Sequence, residues 1–310
     1  MPRPEKKFRC AIIGKSPLME DELLSLLKSE GAGHGSVVSF EERPGGTSID
    51  VDDNDEARIY LPLSAEYMTD FDAIFLLANS RHAAVAAEKA AADTGAVIVD
   101  LRGGGNGSRE YENVPPTEQF IVASLLKAAG VGNVRSISWT LYESASVEGE
   151  KGVRELFSQT ASILNFKKPE PDVFKEQVAF NILPRSPVPG SDVESDVKEI
   201  SGFSGFLSRT VVQIPVFHGS SASFLMEVFP GHQNASIAMV EALEKIPVFS
   251  RQREISGFYH PEQRPDIEFY IESAGTDRIW GWIRFDKYKS HAAMAVERMV
   301  SRLEKKGKKR

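Results

Sequence analysis

The chain has 310 residues, 41% apolar and 26% charged, ordinary for a globular protein and long enough for two domains with cores of their own. Lys and Arg total 37 against 44 Asp and Glu, a formal net charge of −7, which excludes a global basic field for holding nucleic acid. The single cysteine, Cys10, excludes an internal disulfide framework and a cysteine-based structural zinc site.

No apolar run nears the ~20 residues of a membrane helix. The first residues pass into a core-like segment without a signal-peptide pattern, so a cytoplasmic location without membrane or nucleic-acid partners is expected. Phe8 to Gly14 reads as a buried strand closed by glycine. Ser16 and Pro17 supply a cap and a first-turn proline, and Met19, Leu23, Leu26 and Leu27 recur at helical spacing to about Glu30. Val37–Phe40 and Asp72–Ala78 are the next strands; Arg81–Thr94 is an alanine-rich helix ended by Gly95, and Ala96–Asp100 is a further strand. Strands apolar on both faces and separated by helices define a parallel sheet covered on each side, and right-handed crossovers wind it into a Rossmann-type unit. From Gly103 to Pro116 a loop is expected. Within it Gly103, Gly104, Gly105, Asn106 and Gly107, beside Arg102 and Arg109, form either a surface loop or an anion nest.

Beyond it the texture changes. Phe120–Ala123 looks strand-like, and Val134–Tyr142 alternates as a half-buried antiparallel strand does. A long helix over Gly149–Phe166 carries Val153, Leu156, Phe157, Thr160 and Leu164 as a stripe for a core or a dimer interface. Strands are expected at Val211–Phe217, Ser223–Phe229, Ile267–Ser273 and Ile279–Phe285, with helices near Asp192–Ile200 and Ala235–Ile246. A last helix spans about His291–Lys305, followed by a basic tail to Arg310. The fold class is therefore α/β, a doubly wound parallel sheet plus an α+β domain with a mixed or antiparallel sheet. The boundaries fall at 1–124, 125–288 and 289–310. The histidines His34, His82, His218, His232, His260 and His291 lie far apart, and no metal-ligand spacing is seen.

A dinucleotide turn places three glycines across six positions, whereas Gly14-Lys15-Ser16-Pro17-Leu18-Met19 keeps only the first. Pro17 has no amide hydrogen for a phosphate, and Glu20, Asp21 and Glu22 put carboxylates into the first helical turns, where they repel an anion. Lys15 offsets part of that repulsion; Glu41 and Glu42 could accept ribose hydroxyls, and Arg43 could meet a 2′-phosphate. Gly14, Lys15 and Ser16 are thus the candidates for holding NAD or NADP, against the competing reading of a Rossmann-like turn closed to nucleotides.

Asp72–Ala78 with Ala90–Asp100, Glu143–Gly149 with Gly152–Leu156, Gln159-Thr160, Leu164–Phe166, Gln177–Pro184 and Gln213–Gly219 follow one another in a characteristic order. Together they resemble the aspartate-semialdehyde dehydrogenase family, and most of all its Usg-like branch, whose members often lack the catalytic groups. The resemblance implies a nucleotide-binding domain and a dimerisation domain, with the last helix returning to the first. It also implies a homodimer or a pairing with an active paralogue. In the parent reaction a cysteine thiolate at a helix N-terminus forms an acyl intermediate, a histidine moves the proton, an arginine holds the substrate carboxylate and NADP exchanges hydride.

Carried over residue by residue, the resemblance expects the nucleophile just after Phe120–Ala123. There the chain reads Ser124-Leu125-Leu126-Lys127, with the cysteine and much of its helix deleted and Ser124 the nearest hydroxyl. The substrate-orienting glutamine falls on Glu143. The substrate arginine falls on Gln213, which cannot make a charged fork to a carboxylate. The catalytic histidine falls on Ser220, leaving His218, expected on the same strand face, as the remaining acid–base candidate. The expectation is a family homologue without the parent activity, acting as a dimeric binding or assembly protein. The alternative is a redirected NAD(P)-dependent oxidoreductase working on an aldehyde or oxo group through Glu143 or His218.

Overall fold

The computed structural model describes residues 8–33, 35–42, 46–51, 57–64, 66–103, 111–185, 192–232, 234–252 and 267–307. The chain divides into two units, Met1–Pro116 with His291–Arg310, and Thr117–Ser290.

In the first unit, β1 (Cys10–Ile13), α1 (Pro17–Ser29), β2 (Val37–Glu41), β3 (Ser48–Val51), β4 (Ala57–Pro62), β5 (Ala73–Leu76), α2 (Arg81–Thr94), β6 (Val97–Asp100) and β7 (Tyr111–Asn113) build a 7-stranded sheet in the order β3-β4-β2-β1-β5-β6-β7. Its pairings are parallel except β3 with β4. β1 and β5 are buried along their whole length, as their uninterrupted apolar runs require of central strands. α2 starts where the Ser80 side chain accepts the Ala83 amide, and it stops at Gly95, which takes the left-handed conformation a C-terminal glycine relieves. Its buried Ala83, Ala87 and Ala90 bring the helix close to the sheet, over a core with Phe40, Ile74 and Leu76.

Two features of this unit depart from the sequence reading. The β3–β4 hairpin was not foreseen, and Tyr111–Asn113, inside the expected loop, pairs in parallel with β6. Gly104 to Arg109 of that loop, along with Arg43, His34, His260 and the tail residues Lys308, Lys309 and Arg310, lie outside the described residues. The final helix, α7 (Lys287–Gly307), gives the first unit its residues from His291 onward. There Met299 meets the Cys10 thiol at 3.8 Å and Arg302 pairs with Glu112 at 3.3 Å.

The second unit runs α3 (Thr117–Ala129), β8 (Val134–Glu143), α4 (Gly149–Leu164), β9 (Leu183–Pro184), α5 (Val193–Ser201), β10 (Phe206–Gln213), β11 (Ser220–Val228), α6 (Ala235–Leu243), β12 (Phe249–Arg251), β13 (Ile267–Ser273) and β14 (Arg278–Phe285). The strands form a 7-stranded mixed sheet, β12-β13-β14-β11-β8-β10-β9, in which β8–β10 and β12–β13 are the parallel pairs. Ile137, Trp139, Leu141, Ala222, Phe224 and Ile283 bury the face towards the helices, where α3 packs beside α5 and α6. Alternate residues turn Tyr142, Ser223, Leu225, Trp280 and Trp282 to the other face, with Tyr142 stacked on Trp282 at 5.4 Å between centroids.

Phe120–Ala123 lies inside α3, not in a strand: four apolar residues fit either period, and the helix wins because Ile121, Val122, Leu125 and Leu126 are all buried. β10 also begins earlier and ends earlier than expected, since its pairing with β8 stops at Gln213, two residues before Pro215. On α4 the core side is Gly152, Glu155, Leu156 and Gln159, whereas Phe157 and Leu164 of the expected stripe are each 67% exposed. That helix therefore has a second apolar face that the described residues leave exposed.

Candidate functional site

The expected nucleophile position, just after Phe120–Ala123, falls inside α3, whose N-terminus follows Val114-Pro115-Pro116 at Thr117. No thiol stands there. The Thr117 hydroxyl is buried and donates to the Lys287 carbonyl at 3.0 Å. Ser124 sits in the interior of the helix, buried, so it has neither the terminal position nor the access a nucleophile requires. Cys10 is no substitute: burial first and then Asp72 push its thiol up to about 12, so it stays protonated and unreactive.

Glu143 and Gln213, at the ends of the paired strands β8 and β10, are brought together, and a residue the sequence reading missed joins them. Arg185 follows β9, whose short ladder with β10 aligns Leu183 with Gln213; its amide continues the pairing by donating to the Val211 carbonyl at 3.0 Å. Its guanidinium donates to Glu143 Oε2 at 3.0 Å and to Gln213 Oε1 at 3.0 Å, and through its other terminal nitrogen to Glu148. Gln213 is almost fully buried, and its amide nitrogen donates to the Glu143 carbonyl at 2.9 Å. Burial raises the Glu143 carboxyl above its ordinary value, against the lowering effects of Arg185 and Lys287.

A cation therefore does stand beside the position of the expected substrate arginine, but it comes from a different strand and is already held by two of the chain's own carboxylates. Such a cluster satisfies itself, and a third carboxylate brought by a substrate would have to displace one of them. Nearby, Glu118 in the first turn of α3 takes a two-pronged bond from Arg209 at 2.7 and 2.7 Å and the Trp139 indole N–H at 2.7 Å, clamping α3 to β8 and β10.

Ser220 is buried at the start of β11, opposite Phe285. His218 lies before the strand, exposed, and Gly219 between them has φ of 80°. This left-handed residue breaks the alternation that would have put His218 and Ser220 on one strand face, so that expectation fails.

In the first unit the turn between β1 and α1 can be tested against a dinucleotide. Gly14 has φ of 108°, and a Cβ there would lie 2.7 Å from the Ala78 amide nitrogen, so the turn packs tightly on the chain after β5. The Ser16 amide donates to Glu20 Oε1 at 2.9 Å. The Glu20 side chain is fully buried, also accepts the Tyr60 hydroxyl at 3.0 Å and the Ser39 hydroxyl at 3.2 Å, and lies 3.8 Å from Arg58. Lys15 is held by Asp50 at 3.1 Å and Glu41 at 3.6 Å and lies over the Tyr60 ring. The groups that would receive a pyrophosphate and a ribose thus have partners within the chain, and the residues present do not fit the nicotinamide dinucleotide that the resemblance implies. Among the described residues, no cluster of three His, Cys, Asp or Glu could hold a metal ion, and no helix is long and apolar enough to cross a membrane.

This is a two-unit α/β fold whose mixed-sheet unit carries a polar cluster at the ends of β8 and β10. Residues 123–249 match the family model described as semialdehyde dehydrogenase, dimerisation domain. It is similar to an aspartate-semialdehyde dehydrogenase of Shewanella sp. (strain DB6705), 29% identical over 187 residues, covering 56% of this chain and 52% of that protein. A USG-1 protein homolog of Pseudomonas aeruginosa is 33% identical over 102 residues, 30% of each chain. The match spans about half the length of the first of these curated relatives. The fold is that of aspartate semialdehyde dehydrogenase II from Vibrio cholerae, with a TM-score of 0.75 at 19% identity, covering 97% of this chain and 99% of that one.

Proposed function

We propose that this chain is a Usg-like family member that does not carry out the parent reaction and serves as a homodimeric binding or assembly protein. The observation that carries the reading is the Arg185 cluster. It engages the guanidinium with the chain's own carboxylates, where the parent chemistry needs a guanidinium free for a substrate. The absence of a thiol at the α3 N-terminus removes the acyl intermediate, and Ser220 with the exposed His218 does not restore a placed acid–base group. The redirected-oxidoreductase alternative is disfavoured by a first unit whose turn does not fit a nicotinamide dinucleotide.

Self-association is supported by the exposed Phe157 and Leu164 on α4, by Phe166 and Phe180 nearby in sequence at 101% and 65% exposure, and by the aromatic outer face of the second sheet. Exposed aromatic and aliphatic side chains of this kind are what a partner copy covers. The test has two parts. Intact-protein mass spectrometry after incubation with aspartate semialdehyde and NADP, without phosphate, is expected to show no acyl adduct, and an adduct on one residue would refute the loss of chemistry. Sedimentation at micromolar concentration is expected to give a dimer; a monomer would refute the assembly reading.

A further inference from the structure

We infer that Glu20 is the resident anion of the first unit: its carboxylate occupies the place that a phosphate takes at the N-terminus of the first helix in a dinucleotide-binding sheet, leaving a latent anion site filled by the chain itself. This goes beyond the reading of the second unit and stands independently of it.

A helix that follows the first strand of such a sheet offers its unpaired N-terminal amides to an anion. Here the Ser16 amide points at Glu20, four residues on, and not outwards. Had this been an ordinary exposed capping contact, the carboxylate would be wet. It is instead fully buried, roofed by Tyr60 and flanked by Arg58 from β4 and by Ser39 from β2. Two hydroxyl donors, a backbone amide and a guanidinium around one oxyanion group are the donor set that a bound phosphate collects. β4 thus completes with its side chains what a ligand would otherwise complete. Lys15, the one cation of the turn that could still reach an incoming phosphate, is held by Asp50 from β3. A dinucleotide would have to expel a buried charge and leave its donors facing a second anion, so the turn is closed to it.

Two measurements on the full-length protein test this. Calorimetric titration with NADP, NADPH and NAD is expected to show no binding up to about 1 mM, and a Kd below about 0.1 mM for any of them would overturn the inference. In Glu20→Ala the donors remain and the anion is gone, so the variant should melt below the wild type. About 50 mM formate, but not chloride, should raise its midpoint by about 2 °C or more while leaving the wild type unmoved. Equal response of both proteins to formate would overturn it. Should Glu20→Ala fail to fold without formate, Glu20→Gln keeps the shape and removes the charge; its midpoint is expected to fall by several degrees, and an unchanged midpoint would count against the inference.

Discussion

Replacing Arg185 with methionine keeps the aliphatic stem and removes the guanidinium, leaving Glu143, Glu148 and the Gln213 carbonyl oxygen without their shared donor. The side chains of Arg185, Glu143 and Glu148 are 25%, 15% and 33% exposed, between the limits of a surface pair and a sealed one. Breaking a fully buried pair costs about 3–5 kcal/mol and an exposed one about 0–1, so the expected cost of Arg185→Met is about 2 kcal/mol. A double-mutant cycle with Glu143→Gln should return about 1 kcal/mol of it as coupling.

The pH dependence of that cost has a definite sign. Burial already holds the folded-state Glu143 carboxyl high and Arg185 pulls it down, so the variant raises it further. Arg185 therefore stabilises the fold where Glu143 is ionised, and its contribution is lost as pH falls through the carboxylate range. Trp139, Trp280 and Trp282, the chain's 3 tryptophans, all lie in the second unit, so urea unfolding followed by their emission reads this unit alone. The gap between wild type and variant should be about 2 kcal/mol near pH 7.5 and clearly smaller near pH 5. A gap below about 0.5 kcal/mol at neutral pH, or one that does not narrow in acid, would refute the claim that the cluster is a self-satisfied ionic network.

Other outcomes follow from single sites. Gly14→Ala places a Cβ 2.7 Å from the Ala78 amide at a φ of 108°, and thermal unfolding should register a loss of about 2 kcal/mol or more. Glu155, buried on α4, accepts the amides of Asp172, Val173 and Phe174, so Glu155→Ala should cost about 3 kcal/mol and expose 170–182 to limited proteolysis. The Cys10 thiol, pushed up to about 12, should resist a disulfide reagent at about pH 8 in the native protein and react at the unfolding rate in denaturant. Phe157→Glu with Phe180→Glu should turn a sedimenting dimer into monomer without lowering helix content, since both rings are exposed in the single chain.

Much of the fold was legible because local signals agreed with the tertiary outcome. Ser80 and Gly95 bracket α2, Asp192 and Gly202 bracket α5, and the all-apolar runs of β1 and β5 became interior strands paired in parallel. Phe120–Ala123 shows where such signals fail. A run of that length has no period of its own, although Pro115 and Pro116 ahead of Thr117 marked a helix start that would have decided it. β3 and β4 escaped because Asp50, Asp52, Asp53 and Arg58 dilute the apolar pattern of an edge hairpin.

Of the candidate site, Glu143 and Gln213 were singled out from the sequence, and the structure brings these two together. Arg185, 42 residues from Glu143 and 28 from Gln213, gives no local sign of meeting them. That juxtaposition is made by the β8–β10–β9 ladder, and only the topology reveals it. The same holds for Glu20, readable as a carboxylate near a helix start but not as one sealed beneath Tyr60.

The most direct measurement is a steady-state assay of the purified full-length protein with aspartate semialdehyde, phosphate and NADP, run beside an active semialdehyde dehydrogenase. The account predicts no NADPH formation above the protein-free rate. Turnover at an ordinary enzymatic rate, abolished by a single substitution at Thr117, Glu143, His218 or Ser220, would contradict it.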